Sequence, residues 1–389
     1  MLWDKIQGQT GAVNYLRQSI RKDKVVSGYL FQGPSGVGKT LAASIFAGAL
    51  NCRVAPGEGC GSCPDCRKVE NGTHPDIHFL APSSKSRLIV IDQIKEMQRM
   101  VYLRGYSDNW KVFIIQDADR MNRSTQNAFL KTLEEPPEKT ILILITNQPG
   151  QLLPTIRSRC QKVIFGSWSY EMMKSFLMEK VGISETESHV LHSISRGCPG
   201  RALQLSQEEL LNTRKILFGP LLDNCSSSAG ELTAQVKVWL DYISSRSKAL
   251  SGDLERERVQ WREALAPPQR KKMEARDESR VVAEERAELE MIFELILSWI
   301  RDLFVFRETG GDTYIINRDM SEKIVVAARS RSQAQLRRMM EWVEKSRQLA
   351  EKTPARATRQ LIFENMLLQL GYWNLIFSAP IKIRGGRKK

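Results

Sequence analysis

Over its first 165 residues the chain alternates short, densely apolar runs with longer segments whose apolar residues recur every three or four positions. The runs at 29–32, 77–80, 111–116, 141–146 and 161–165 read as buried strands. Segments 91–103 and 124–133 read as helices; Asp92 lies in the opening turn of the first, and Pro136-Pro137 stop the second after Glu134 and Glu135. Such alternation predicts a parallel α/β sheet. From 166 the period becomes helical, at 170–180 and 184–195, and Gly197-Cys198-Pro199-Gly200 breaks it before another helix at 201–205. Beyond 211 almost every segment is helical in period. The stretch 251–290 stands apart, with 9 basic and 11 acidic side chains and Pro267-Pro268 in its middle. It reads as a solvated helical pair. Apolar helices return at 289–306 and 359–370, and 381–389 is a basic tail. The expected fold class is α/β plus all-α. A sheet domain covers 1–165, a small helical domain 166–210, and a larger helical domain 211–380 that carries the charged insertion 251–290.

Between the first strand and the next helix runs Gly33-Pro34-Ser35-Gly36-Val37-Gly38-Lys39-Thr40. It fits G-x-x-x-x-G-K-[ST] without a mismatch, in the strand–loop–helix setting that a phosphate loop requires. Glycines let backbone N–H groups turn toward phosphate oxygens at the positive end of the following helix. Lys39 would reach the β- and γ-phosphates, and Thr40 would hold Mg²⁺ through its hydroxyl. ATP or ADP with Mg²⁺ is therefore the expected ligand.

Closely following are Cys52, Cys60, Cys63 and Cys66, spaced C-x7-C-x2-C-x2-C. Four thiolates at such spacing suit tetrahedral Zn²⁺, and a closed four-cysteine set is structural rather than catalytic. Gly57, Gly59, Gly61 and Pro64 supply the turns that converge them. The rival is a disulfide pair, which needs an oxidising compartment. Cys160, Cys198 and Cys225 are isolated and read as buried reduced thiols.

The N-terminal Met1-Leu2-Trp3-Asp4-Lys5 lacks the apolar core of a signal peptide, and no uninterrupted apolar run approaches 18 residues. A soluble, cytoplasmic chain without a membrane span is expected. Its 389 residues suffice for two or three domains. A formal net charge of +14 favours a polyanionic partner, nucleic acid above all. His74, His78, His189 and His192 fall in no catalytic pattern, which disfavours a Ser-His-Asp or metal hydrolase.

Taken in order, Ile6-Gln7-Gly8-Gln9, the phosphate loop, the cysteine knuckle, the run from Asn127 through Leu133-Glu134-Glu135-Pro136-Pro137, and Leu153-Pro154-Thr155-Ile156-Arg157-Ser158-Arg159-Cys160 form one recognisable set. Over residues 1 to about 205 the chain resembles the clamp-loader subunits of bacterial DNA polymerase III, within the AAA+ ATPases. The resemblance implies an AAA+ domain with a zinc knuckle, a helical lid and a C-terminal collar that oligomerises subunits. Two subunit types share these motifs. His74-Pro75-Asp76 and Asp117-Ala118-Asp119-Arg120-Met121-Asn122 look like the delta-prime type, whereas the tau/gamma type usually carries an Asp-Glu pair followed by histidine.

The same resemblance assigns site residues. ATPases of the family end their Walker B strand on aspartate then glutamate; here Gln116 and Asp117 occupy those places. Sliding the register by one puts Asp117 in the metal place and Ala118 where the glutamate belongs, so neither register restores both acids. The phosphate cradle is intact and the hydrolytic machinery is damaged, leaving Asp117 as a degenerate catalytic acid. Arg159, in Ser158-Arg159-Cys160, corresponds to an arginine finger that enters the neighbouring subunit's ATP site, and is expected to close a loop before a strand. Thr146 and Asn147 stand where sensor 1 touches the γ-phosphate, and Arg201 where sensor 2 approaches it.

The leading expectation is a delta-prime-like subunit that assembles with tau/gamma and delta and supplies Arg159 in trans, so that the complex loads a sliding clamp on primed DNA. The alternatives are a tau/gamma-type motor ATPase and a nucleotide-responsive AAA+ interaction protein outside replication.

Overall fold

The computed structural model describes residues 1–82, 88–103, 110–207, 229–261, 267–353 and 356–371. The basic tail at 381–389, Cys225 and the two ends of the expected collar lie outside the described residues. The described residues fall into two compact units, one of those within 1–183 with 195–205, the other of 184–194 with those from 206 onward.

The first unit is built on five strands, β1 (Gly28–Gln32), β2 (Ile77–Leu80), β3 (Lys111–Ile115), β4 (Thr140–Thr146) and β5 (Gln161–Ile164). All neighbours pair in parallel, in the order β2-β3-β4-β1-β5. The register sets Leu30 opposite Leu144 and Phe113 opposite Leu142. Because side chains alternate across a strand, each central strand feeds two cores. Tyr29, Phe31, Val112, Ile114, Ile141, Ile143 and Ile145 face one; Leu30, Phe113, Ile115, Leu142 and Leu144 face the other. Burial on both faces explains why these strands read as continuous apolar runs.

The helices of this unit are α1 (Thr10–Arg21), α2 (Lys39–Asn51), α3 (Pro64–Glu70), α4 (Ile91–Tyr102), α5 (Arg123–Glu134), α6 (Pro154–Arg159), α7 (Tyr170–Val181) and α9 (Pro199–Gln207). Asn122 caps α5 by accepting from the Thr125 amide, and Cys63 caps α3 by accepting from that of Cys66. The strand expected to reach residue 116 stops at Ile115, because Asp117 turns into the left-handed region at φ 47°.

In the second unit stand α8 (Glu185–Ile194), α10 (Ala229–Trp261), α11 (Pro267–Thr309), α12 (Ser321–Arg329), α13 (Gln333–Lys352) and α14 (Arg356–Gly371). The described parts of the charged stretch form the end of α10 and the start of α11, with Pro267 in the first helical position, where its missing N–H costs no bond. In the core of this unit Phe363 stacks on Phe293 at a centroid spacing of 5.3 Å and meets Trp239 edge-on at 5.4 Å. Buried Asp302 accepts the backbone amides of Ile316 and Asn317 and the Asn317 side-chain amide, which pins the turn after α11. Among the described residues no helix is long and apolar enough to cross a membrane.

Candidate functional site

The phosphate loop leaves the carboxyl end of β1 and enters α2, whose N-cap Gly38 holds φ 99°. Gly36 has φ 81°, and a Cβ on Gly33 would lie 2.2 Å from the Phe165 carbonyl oxygen. Gly33→Ala should therefore cost about 1–3 kcal/mol of stability, as other forced backbone conformations do. Equal urea midpoints for mutant and wild type would show that the Phe165 strand end yields freely.

Lys39 is buried at the loop, its Nζ donating to the Gly33 and Pro34 carbonyls at 2.6 Å each. Burial pushes its pKa down, against the opposing pull of Asp117, Cys198 and Asp119. Thr40 opens α2 and is half-buried. Pro34, Ser35 and Gly36 are exposed, so the crest of the loop is open to a ligand. Arg201 arrives from α9: the Gly200 amide donates to the Gly36 carbonyl at 2.9 Å, and the Arg201 amide would meet a Cβ on Gly36 at 3.1 Å.

At the neighbouring strand ends the acids depart from a hydrolytic arrangement. Gln116 is half-buried, its amide bonded to the Leu80 carbonyl; Asp117 is exposed. The strand end thus offers Mg²⁺ no buried carboxylate. The carboxylate that does turn inward is Asp119, 7% exposed, which accepts the Thr146 hydroxyl at 2.5 Å. Thr146 also accepts the Gln148 amide at 3.0 Å, so its one donor and one of its two acceptor sites are in use. Asn147 is exposed. In the sequence Asp119 stands out only as part of a subunit-type pattern; the available signal is a second acid, four residues past the end of β3 at Ile115.

Arg159 is placed apart from this group. It ends α6, a six-residue helix begun by Pro154, rather than closing a loop as expected. Its backbone carbonyl packs against Gly28, at the start of β1, whereas the phosphate loop follows the end of that strand. Four strand steps separate the two, roughly 13 Å. The guanidinium is 40% exposed, bonded to Glu134 at 2.8 Å and to the Thr155 carbonyl at 3.2 Å.

The four cysteines converge, every sulfur within 4.8 Å of the others. Cys52 and Cys63 are 4.0 Å apart, Cys60 and Cys66 3.9 Å. Tetrahedral Zn–S bonds of about 2.3 Å would set sulfurs roughly 3.8 Å apart, so the set fits that ion. Backbone amides aim at the sulfurs as well: Ala55 and Cys60 at Cys52, Cys63 at Cys60, Cys66 at Cys63. The amides of Ser62 and Cys63 pull the Cys60 thiol down to about 6, whereas burial pushes Cys66 up. No described cysteine forms a disulfide.

The knuckle is stapled to the rest of its unit. The Leu2 amide donates to the Gly59 carbonyl, the Trp3 indole to that of Gly57, and Glu58 is held by Arg17 and Arg21. Burial alone would raise the Glu58 carboxyl, but the Arg21 and Arg17 guanidiniums outweigh it and hold it low. A lowered folded-state pKa contributes stability above the unfolded value, near 4.3, that is lost as pH falls through the folded one. Acid titration of stability should therefore fall more steeply below about pH 4.3 in wild type than in Glu58→Gln. Superimposable curves would show that the pairs contribute nothing.

Comparison with known proteins agrees with the motifs. A family described as "DNA polymerase III, delta subunit" matches residues 8–168, and "DNA polymerase III, delta subunit, C terminal" matches 256–371. The DNA polymerase III subunit delta' of Bacillus subtilis is 35% identical over 52% of this chain and 60% of its own length. That of Pseudomonas aeruginosa is 41% identical over 34% of this chain and 40% of its own. DNA polymerase III subunit tau of B. subtilis is 33% identical over 55% of this chain and 39% of its own. The matches thus span about half the length of these relatives. Both patterns fall in chain order, and the chain is similar to DNA polymerase III delta' subunits over about half of their length.

Proposed function

We propose that this chain is the stator-like member of a cytoplasmic clamp loader, assembling with tau/gamma and delta subunits and supplying Arg159 to a neighbour's ATP site. The observation that carries this reading is the position of Arg159. It is exposed at the amino end of β1, opposite its own phosphate loop, and so directed to other chains rather than to its own nucleotide. A guanidinium there would stabilise charge developing on a neighbour's γ-phosphate. The loaded complex would place a sliding clamp on primed DNA, a polyanion suited to the net charge of +14.

Within this reading the phosphate loop holds ATP or ADP, with Thr40 toward Mg²⁺ and Arg201 toward the phosphates. Residues 166–210 act as the lid, and 211–380 as the collar. Cys52, Cys60, Cys63 and Cys66 hold one structural zinc. With Gln116 neutral and Asp117 exposed, one methylene shorter than the glutamate expected in its place, an attacking water is poorly positioned, so binding without turnover is the expected behaviour. Isolated chain mixed with Mg·ATP should bind nucleotide and turn it over far below about 10 s⁻¹, the median for enzymes. Turnover at that median by the chain alone would favour a motor subunit instead.

A further inference from the structure

We propose that Gln9 is a positioning strut that transmits occupancy of the phosphate loop to the segment leading into α7 and α9. This rests on the reading that the loop holds a nucleotide. Gln9 is 5% exposed, and its amide spans two pieces of backbone. Its Nε2 donates to the Gly166 carbonyl at 2.7 Å and to the Val37 carbonyl, inside the phosphate loop, at 3.3 Å. Its Oε1 accepts the Gly166 amide at 3.1 Å. The grip on Gly166 is thus two-fold and short, that on the loop single and longer.

Other ties close a ring around this strut. Gly33 is backed by the Phe165 carbonyl, the residue before Gly166. The Trp168 amide donates to the Gly197 carbonyl at 2.7 Å, and the Gly200 amide returns to Gly36 in the loop. Gly8, at φ 70°, lies directly against the Trp168 indole, where a Cβ would be 2.2 Å from Nε1. Backbone makes most of these links; Gln9 is the side chain that joins loop to segment.

Phosphate binding must disturb this ring. Lys39 has to leave the Gly33 and Pro34 carbonyls to reach phosphate, and the loop amides must converge on the ligand. Any tilt of the Val37 peptide lengthens or shortens the 3.3 Å bond, and Gln9 passes the change to Gly166 through its rigid amide plane. A glutamine that merely satisfies buried carbonyls would stabilise the fold equally with and without nucleotide. A strut makes the segment respond to the ligand.

The test is amide hydrogen exchange on the full chain, with and without Mg·ADP. In wild type, ADP should slow exchange at 33–40 and also at 166–170 and 197–201. Gln9→Met keeps side-chain length and removes both donors. It should keep ADP protection at 33–40 while losing the nucleotide-dependent part at 166–170, by about fivefold or more, the low end of coupling between sites. Gln9→Glu, which retains an acceptor for the Gly166 amide, should show the same loss and carries the test if the methionine variant fails to fold. ADP-induced protection at 166–170 that equals wild type in a folded variant overturns the strut and leaves nucleotide binding intact. Absence of any ADP protection in wild type, at 33–40 included, overturns the nucleotide reading and the strut together.

Discussion

Arg159→Ala should slow ATP hydrolysis at the neighbouring subunit's site by about 10³-fold or more, with this chain still folded and assembled. Arginine fingers contribute 10³–10⁵ in kcat where they complete a phosphoryl-transfer site, and three decades correspond to about 4 kcal/mol of barrier. The stability cost is small, because what is lost at home is an exposed pair with Glu134 and one bond to the Thr155 carbonyl. Exposed ion pairs contribute about 0–1 kcal/mol. Arg159→Lys should recover little of the rate, since an ammonium lacks the planar fork that grips phosphate oxygens. Steady-state, DNA-stimulated ATPase of a complex carrying only the alanine change reads the effect. Unchanged rates in a correctly assembled complex would make Arg159 an ordinary surface residue.

On the proposal that Cys52, Cys60, Cys63 and Cys66 hold zinc, removing that ion should be the other large effect. Structural zinc contributes about 10–16 kcal/mol to folding in small four-ligand modules, so a knuckle without it has little to hold its glycine-rich turns. The consequence extends to the N-terminus, because Gly57 and Gly59 receive the Trp3 indole and the Leu2 amide. Trp3 is 2% exposed, and chelation should shift its fluorescence to the red as water reaches the ring. Cys63→Ser should behave as the chelated protein does, and metal analysis of untagged wild type should find close to one zinc per chain. An intact fold with no zinc would remove the metal from the account.

Much of this molecule was legible from the sequence because its strands are buried on both faces. Every residue of 141–146 is then apolar or small, and the strand has one reading. The turn at 33–40 between strand and helix was legible because its glycines and flanks mark it, and the convergence of the cysteines because their spacing constrains the geometry. What stayed hidden depended on contacts between distant segments. The engagement of Thr146 by Asp119 joins residues 27 apart, and the bridge from Gln9 to Gly166 spans 157. Nothing local marks either pair. The placement of Arg159 on a short helix was missed for a different reason: one turn is too short to show a period, and only Pro154 hinted at a helical start. The grouping of 184–194 with the second unit likewise depends on packing that hydrophobic period does not encode.

The most direct measurement is clamp loading on primed DNA by a complex reconstituted with and without this chain, at matched concentrations of the other subunits and of ATP. Loading is expected to require the chain, to persist when Lys39→Ala removes its own phosphate contact, and to collapse with Arg159→Ala. Loading that proceeds equally well without the chain would contradict its assignment as a working part of the loader.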